Sequence, residues 1–210
     1  MSDSAASPQV IIVDDDEAVR DSLSWLMRSV GLASRCFASA DALLQEPLQA
    51  YRGCIILDIR MPGMSGLELQ GVLGQRDVAL PVIIISGHAD VPMAVRALKA
   101  GAFDFIEKPF NDQALLDIVQ RAIELDRQQY ENMGELRQWR ERMATLTPRE
   151  REVMLEVVNG SPNKVIASRL GVTLKTVESH RARVMEKLDA GSVSQLVRIC
   201  LELGVDQGKP

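Results

Sequence analysis

Polar side chains that could hold a metal ion and a phosphate follow four separate apolar runs of the sequence. The set comprises Asp14, Asp15, Asp16, Asp58, Ser86 and Lys108. Clustered carboxylates repel one another and need a cation. Hard oxygen ligands suit Mg²⁺, which usually takes one or two protein carboxylates together with phosphate oxygens. The types and spacing of these residues therefore indicate a magnesium site that handles phosphate.

Five short apolar or mixed runs alternate with helical patterns in the first 115 residues. The runs occupy residues 10–13, 34–37, 54–57, 81–85 and 104–107. Three of them are almost wholly apolar, as expected for strands buried on both faces of a parallel sheet. Five such βα units predict a doubly wound α/β sheet with right-handed crossovers. In the strand order 2-1-3-4-5, the ends of the first and third strands meet at the crevice where these sheets bind ligands.

The three consecutive aspartates have a second interpretation. Acidic residues are favoured at the start of a helix, so residues 14–16 could do no more than cap the helix that follows them. That interpretation explains a single aspartate at a strand end well. It does not explain why carboxylates, a hydroxyl and an ammonium follow four different strands, and the matched set favours the ligand site.

The last third of the chain has a different pattern. Thr147, Pro148 and Glu150 form a capping-box signature at the start of one helix. A second helix is predicted over Asn163–Leu170 and a third over Leu174–Leu188, with a short turn between them. Two helices joined by a tight turn, with basic residues on the second, are typical of a helix-turn-helix that binds DNA.

Charge divides the chain in the same way. Residues 1–124 hold 10 basic and 17 acidic side chains, residues 125–143 hold 4 and 4, and residues 144–210 hold 10 and 8. An acidic first part and a locally basic last part indicate two domains with different partners. Residues 111–146 have the spacing of one long helix, interrupted by polar residues and Gly134. Either a weak coiled coil or a hinge fits this pattern, and we favour a flexible helical linker.

Composition excludes several other classes of protein. The chain is 46% hydrophobic, which is too apolar for general disorder, and its net charge of -5 excludes a uniformly basic coat. Its three cysteines lack the spacing of a disulfide framework or a zinc site. The first residues, MSDSAASPQV, lack the pattern of a signal peptide, and no apolar stretch reaches the length of a membrane span. We expect a cytoplasmic protein.

The runs VDDDEAVRDSL, LDIRMPGMSGLEL and IIISGHADVPMAVRALKAGAFDFIEKPF resemble the receiver domain of bacterial two-component response regulators, close to the FixJ-type subgroup. The resemblance implies a CheY-like (βα)5 receiver over residues 7–124, in which Asp58 accepts a phosphoryl group from a sensor histidine kinase. Asp15, Asp58 and the backbone carbonyl of Arg60 would bind Mg²⁺ directly, with Asp14 acting through water. Lys108 would pair with the phosphoryl oxygens.

The same resemblance implies a switch. Ser86 would donate its hydroxyl to the phosphoryl group, and Phe105 would turn into the space that Ser86 leaves, although Phe105 could also be a plain strand residue. The change would reach a dimerisation face that includes Val91, Val95 and Lys99. Arg60 and His88 occupy positions that influence how long the phosphoryl group survives.

The stretch LTPREREVMLEVVNGSPNKVIASRLGVTLKTVESHRARVMEKL resembles the LuxR-type DNA-binding domain, also called FixJ-type or NarL-type. It implies a four-helix domain over residues 144–208, after a linker over residues 125–143, with the third helix in the major groove. The implied DNA contacts are Asn163, Lys164, Lys175, Thr176, Glu178, Ser179, Arg181, Ala182, Arg183 and Lys187.

Together the two resemblances imply a transcriptional regulator that is not an enzyme. Phosphorylation of Asp58 would promote a homodimer that binds promoter DNA, most simply to activate transcription with RNA polymerase. One alternative is a receiver-bearing adaptor that acts by protein contacts without touching DNA. Another is a haloacid-dehalogenase-type phosphatase, but those enzymes need a second aspartate two residues after the nucleophile, where this chain has Arg60.

Overall fold

A computed structural model describes residues 7–87 and 91–205 of the chain. The chain divides into two compact units, Met1–Tyr130 and Glu131–Pro210. Each unit has its own hydrophobic core, so each is described by itself. In the described part of the chain, no helix is both long enough and apolar enough to cross a membrane.

The first unit is built on a five-stranded parallel sheet. Its strands are β1 (Gln9–Val13), β2 (Ala33–Phe37), β3 (Gly53–Asp58), β4 (Val82–Ser86) and β5 (Asp104–Glu107). The strand order is β2-β1-β3-β4-β5, with every neighbouring pair parallel. The predicted doubly wound α/β fold and its strand order are confirmed.

Five helices cover the two faces of this sheet. They are α1 (Glu17–Ser29), α2 (Ala40–Leu44), α3 (Gly66–Gln75), α4 (Val91–Lys99) and α5 (Asp112–Ala144), and a short 3-10 helix spans Leu48–Ala50. Side chains alternate between the two faces of a strand, so Ile55 and Leu57 join one core while Cys54 and Ile56 join the other. This two-sided burial explains why β1, β3 and β4 are continuous apolar runs.

The second unit contains the remaining helices of the described chain. They are α6 (Pro148–Val158), α7 (Asn163–Leu170), α8 (Leu174–Leu188) and α9 (Val193–Glu202). Thr147 and Glu150 form the predicted capping box of α6. Gly171 ends α7 in a left-handed conformation with φ +65°, and Thr173 caps α8. The bounds of α7 and α8 are those predicted from the sequence.

Helix α5 begins in the first unit and ends in the second. Its first turns bury Leu115, Val119 and Ala122 in the core of the first unit, and Met143 joins the core of the second. The predicted long helix is therefore present. The domain limits 7–124, 125–143 and 144–208 remain a prediction, and residues 206–208 lie outside the described residues.

Candidate phosphoryl-acceptor and DNA-binding sites

The register of the sheet brings four of the predicted site residues to the same edge. Asp58 is the last residue of β3 and pairs with Ile85, and Ser86 is the next residue of β4. Ser86 pairs with Glu107, the residue before Lys108, and its carbonyl accepts a hydrogen bond from the Lys108 backbone amide at 2.8 Å. Asp14 directly follows β1, which pairs with β3. All four side chains thus start from the carboxyl ends of parallel strands.

Lys108 joins the two buried carboxylates of this edge. Its Nζ lies 2.8 Å from Asp14 Oδ2 and 2.7 Å from Asp58 Oδ1. Asp14 is 1% exposed and Asp58 6% exposed. The second oxygen of Asp58 accepts a hydrogen bond from the backbone amide of Arg60 at 2.6 Å. The Asp58 carboxylate is therefore fixed at both oxygens.

Burial sets the electrostatics of this cluster. It raises the pKa of Asp14 above its ordinary value, although hydrogen bonds from Lys108 and the Asp16 amide act in the opposite direction. Burial alone would lower the pKa of Lys108, but the hydrogen bonds to Asp14 and Asp58 outweigh it and raise that pKa. The ammonium therefore stays charged, and a single cation balances two desolvated carboxylates.

The acidic turn after β1 is not a cluster of three carboxylates. Asp14 is buried, Asp15 is exposed, and Asp16 caps α1 by accepting from the amides of Ala18 and Val19. Within residues 7–87 and 91–205, no three Asp, Glu, His or Cys side chains are close enough to hold a metal ion together. Asp14 and Asp58 instead share the ammonium of Lys108, and a magnesium site that also includes Asp15 remains a prediction.

The donor set is nevertheless of the type that Mg²⁺ takes. Asp14, Asp15, Asp58 and the carbonyl of Arg60 supply only oxygen atoms, and Mg²⁺ in phosphate sites usually takes one or two carboxylates with several waters. Asp58 and Asp14 already share a cation, which shows that this edge favours positive charge. The residues fit the ion in number and in kind.

The predicted switch residues lie beside this cluster. Ser86 is 1% exposed at the end of β4, and Phe105 is half-buried on β5, where it packs against the core that contains Ile84. The predicted dimerisation residues Val91, Val95 and Lys99 are all exposed on α4. His88 lies outside the described residues.

Two further residues near the acceptor were not identified from the sequence. A side-chain carbon at Gly66, the first residue of α3, would lie 2.2 Å from the carbonyl oxygen of Asp58, so only glycine fits there. Arg20 donates to the backbone carbonyls of Asp14 and Asp15. The sequence feature that could have identified Gly66 is its position directly after the helix cap Ser65, where glycine has no capping role. Arg20 gave no such signal, because an arginine on a surface helix is ordinary.

The predicted recognition helix α8 carries its apolar and polar residues on different sides. Val177, Val184 and Leu188 are buried in the core of the second unit. Lys175, Glu178, Ser179, Ala182 and Arg183 are exposed, and Lys164 is exposed on α7. A groove of about 340 Å³ is lined by Thr173, Lys175, Thr176, Ser179, His180 and Arg183. Hydroxyl and basic groups thus share one concave surface.

Three of the predicted DNA contacts have partners inside the second unit. Arg181 Nη1 donates to Asn163 Oδ1 at 2.5 Å, which ties α8 to the start of α7. Lys187 Nζ lies 2.6 Å from Glu150 Oε2 and also donates to the carbonyl of Thr145 at 3.1 Å. The structure places Lys187 against α6, so its ammonium has a structural role that the sequence did not indicate.

The two units together define a receiver followed by a helix-turn-helix domain, and comparison with known families agrees. Residues 10–120 match the family described as the response regulator receiver domain. Residues 144–200 match the family described as bacterial regulatory proteins of the luxR family. The chain belongs to the bacterial response regulators that combine these two domains.

Individual relatives cover almost the whole chain. It is 45% identical to the transcriptional regulatory protein FixJ of Azorhizobium caulinodans, over 93% of each chain. It is 42% identical to the transcriptional regulatory protein TdiR of Thauera aromatica, over 91% of this chain and 85% of the relative. Among solved structures, the response regulator StyR superposes with a TM-score of 0.82 at 39% identity, covering 93% of this chain and 98% of that one.

Proposed function

We propose that this protein is a transcriptional regulator whose DNA binding is controlled by phosphorylation of Asp58. The observation that supports this proposal most directly is the pair of contacts from Lys108 to Asp14 and Asp58, at 2.8 and 2.7 Å, at the buried edge of the sheet. Once a metal ion balances the two desolvated carboxylates, this ammonium is free to pair with a third anionic group. The helix-turn-helix in the same chain supplies the output.

The phosphoryl transfer needs no general base. One ionised oxygen of Asp58 attacks phosphorus in line, while the bond from phosphorus to the histidine nitrogen of the kinase breaks. The leaving imidazole keeps the electron pair of the broken bond. Lys108 moves from the Asp58 carboxylate to an oxygen of the phosphoryl group, and the Ser86 hydroxyl donates to another.

Mg²⁺ would be held by Asp15, Asp58 and the carbonyl of Arg60, with Asp14 binding through water. When bound, the ion neutralises charge on the phosphoryl oxygens. Asp58 lies where the amide of Arg60 fixes one of its oxygens, so the attacking oxygen is oriented before the phosphoryl donor arrives. The Arg60 side chain, which is exposed, remains available to influence the lifetime of the product.

The signal is the added charge. Phosphorylation places about two negative charges beside Asp14 and Asp15. Rotation of Ser86 toward the phosphoryl group opens space for Phe105, and the change alters α4. Val91 is 77% exposed and Val95 43% exposed on that helix, which supports α4 as a dimerisation face with Lys99 at its end.

Dimerisation would bring two copies of α8 onto two half-sites of DNA. Residues 144–210 hold 10 basic and 8 acidic side chains, a net charge of +2, which is too low for tight binding by one copy, and pairing multiplies the affinity. Thr176, Glu178, Ser179 and Ala182 would face base edges, while Lys164, Lys175 and Arg183 would contact phosphates. We assign Arg181, Asn163 and Lys187 mainly to holding α8 in place, since each has a partner within the unit.

The proposed partners follow from these sites. They are a sensor histidine kinase, promoter DNA, a second copy of the chain and RNA polymerase. The proposed outcome is activation of transcription, and the chain itself would catalyse no turnover. A role on promoter DNA places its action in the bacterial cytoplasm. FixJ and TdiR are named transcriptional regulatory proteins, which supports the assignment.

The test uses beryllofluoride, a mimic of the phosphoryl group, with the full chain and Mg²⁺. A DNA site is first selected from a random duplex pool with the treated protein. Sedimentation velocity and DNA titrations then compare treated and untreated protein, with Asp58→Asn as the control. We expect treatment to produce a dimer and to tighten DNA binding at least tenfold in the wild type and not in the variant.

Two outcomes would contradict this proposal. If treated and untreated protein have the same oligomeric state and the same DNA affinity, phosphorylation does not control binding. If the treated protein dimerises but shows no salt-dependent DNA binding at all, the chain acts as an adaptor through protein contacts.

A further inference from the structure

Arg20 binds the backbone carbonyls of the acidic turn and not the carboxylates that the turn carries. Its Nη1 donates to the carbonyl oxygen of Asp14 at 2.8 Å and to that of Asp15 at 2.9 Å. Both residues lie beyond the end of β1, where the Asp14 amide makes one more hydrogen bond to β2, to the carbonyl of Phe37 at 3.2 Å. One guanidinium therefore fixes two successive peptide units of the turn that carries two proposed magnesium ligands.

The turn and the helix that follows it hold each other in place. Asp16 accepts from the amides of Ala18 and Val19 and so starts α1. Its carbonyl accepts from the amide of Arg20 at 3.1 Å. The helix then returns Arg20 to the turn, and the Asp16 amide donates to Asp14 Oδ1 at 3.0 Å. This closed set of contacts fixes the backbone of Asp14 and Asp15 and one carboxylate oxygen of Asp14.

The two cations near the acidic turn differ in what they bind. Lys108 binds carboxylate oxygens of Asp14 and Asp58 directly, so a metal ion that arrives must compete with it for those oxygens. Arg20 donates to carbonyl oxygens instead, and Asp15 is exposed. Arg20 thus holds the turn without occupying the ligand atoms.

We propose that Arg20 is a positioning residue for the magnesium site, which it serves by fixing the backbone of Asp14 and Asp15. The inference rests on the proposed function, because it assumes that this edge of the sheet binds Mg²⁺. Groups that orient metal ligands usually change metal affinity 10- to 100-fold when they are removed. Arg20 is such a group, and it acts through the main chain of the ligands.

The experiment measures Mg²⁺ binding to the full chain by isothermal titration calorimetry, without any phosphoryl donor. The variants are Arg20→Gln, Arg20→Lys and the control Arg28→Gln, which removes the same charge from the last turn of α1. Melting temperatures in EDTA report on folding in the absence of metal. We expect Arg20→Gln to raise the Kd for Mg²⁺ about 10-fold or more.

Arg20→Lys keeps the charge and a donor but not the planar group, so its Kd should lie between those of wild type and Arg20→Gln. Arg28→Gln should bind Mg²⁺ as wild type does. A wild-type Kd for Mg²⁺ in Arg20→Gln overturns the inference. It does so even if the melting temperature of this variant falls, because Arg20 would then be a purely structural contact. If Arg20→Gln does not fold, a wild-type Kd in Arg20→Lys overturns it. Failure of the wild type to bind Mg²⁺ overturns the proposed function and this inference together.

Discussion

Each unit of the chain contains a lysine that pairs with a buried carboxylate. The two sites differ in how fully the lysine balances the negative charge. In the first unit, Lys108 is shared by Asp14 and Asp58. In the second, Lys187 pairs with Glu150 alone at 2.6 Å. The residue types and distances are almost the same, so the difference between the pairs lies in the groups around them.

The pKa values of the carboxylates show that difference. Burial raises the pKa of Asp14. In contrast, hydrogen bonds from Lys187 and from the backbone and hydroxyl of Thr147 lower the pKa of Glu150 to about 2. Glu150 is stable as an anion because Lys187 and the start of α6 both donate to it. The cluster in the first unit has more negative charge than its one cation balances.

The comparison indicates which buried charges are functional. A carboxylate such as Glu150, whose charge is balanced by donors within the fold, stabilises the fold and gains little from a ligand. Asp14 and Asp58 share one cation, so their repulsion is only partly balanced. It falls when a second cation binds together with the phosphoryl group. Short distances alone would not separate the two cases.

The largest expected effect is at Asp58. Replacement by Asn should abolish phosphorylation by acetyl phosphate, because the amide has no ionised oxygen to attack phosphorus. Incorporation is measured on phosphate-affinity gels, with Asp77→Asn as a control at an exposed aspartate. Lys108 keeps Asp14 as its partner, so we expect no loss of thermal stability. A phosphoryl group that is retained in Asp58→Asn and released by acid would identify another acceptor.

The second effect is on stability, at Glu150. Its pKa in the folded chain, about 2, is below its ordinary value of 4.5, so the ionised form stabilises the fold above pH 4.5 and this contribution is lost between pH 4.5 and 2. Glu150→Gln should lower the free energy of unfolding of the second unit by about 1.5 to 3 kcal/mol at pH 7, the range for a hydrogen bond to a charged group. The variant should also lose less stability in acid.

Trp139 allows this measurement in the full chain. The chain has two tryptophans, and Trp139 packs against the core of the second unit, so its fluorescence reports urea unfolding of that unit in a Trp25→Phe background. Glu152→Gln is the control, because Glu152 pairs with Arg149 at the surface of the same helix. If Glu150→Gln and Glu152→Gln have equal effects at pH 7, the Glu150 pair is not a stabilising element.

A smaller effect is expected at Arg183 on the exposed side of α8. Arg183→Ala should weaken binding to all DNA sequences severalfold and reduce the slope of log affinity against log salt by about 1. Fluorescence anisotropy at several salt concentrations measures both. Arg137→Ala removes the same charge from an exposed pair on α5 and should leave the slope unchanged. An unchanged slope in Arg183→Ala would remove it from the phosphate contacts.

Patterns local in sequence predicted most of the architecture. Alternating apolar runs gave the strands and the class of the sheet, and capping residues such as Thr147 and Thr173 gave the starts of α6 and α8. These features depend on residues a few positions apart, and their physical causes act over the same short range. The positions of Asp58 and Lys108 followed because strand ends in a parallel sheet share one edge.

Side-chain partners that are distant in sequence were not predictable in this way. Lys187 has the same chemistry as Lys175, and only the packing of α8 on α6 brings it to Glu150, 37 residues away. Arg20 likewise has no feature that separates it from Arg28 until the turn and the helix are placed together. A residue type states which contacts are chemically possible, and the fold decides which of them form.

The smallest effect on DNA binding is expected at Lys187, and it distinguishes the two roles available to that residue. Gln at this position can still donate to Glu150 but carries no charge. If Lys187 serves the fold, Lys187→Gln should leave the salt slope of DNA binding equal to that of wild type, while the pKa of Glu150 rises because its partner is now neutral. Anisotropy titrations measure the slope, and urea unfolding between pH 2 and 5 follows the pKa.

A slope reduced by about 1, as in Arg183→Ala, would show that Lys187 leaves Glu150 to contact a DNA phosphate. The pair in the second unit would then exchange its partner on binding, as we propose for Lys108, and the contrast between the two lysines would be lost.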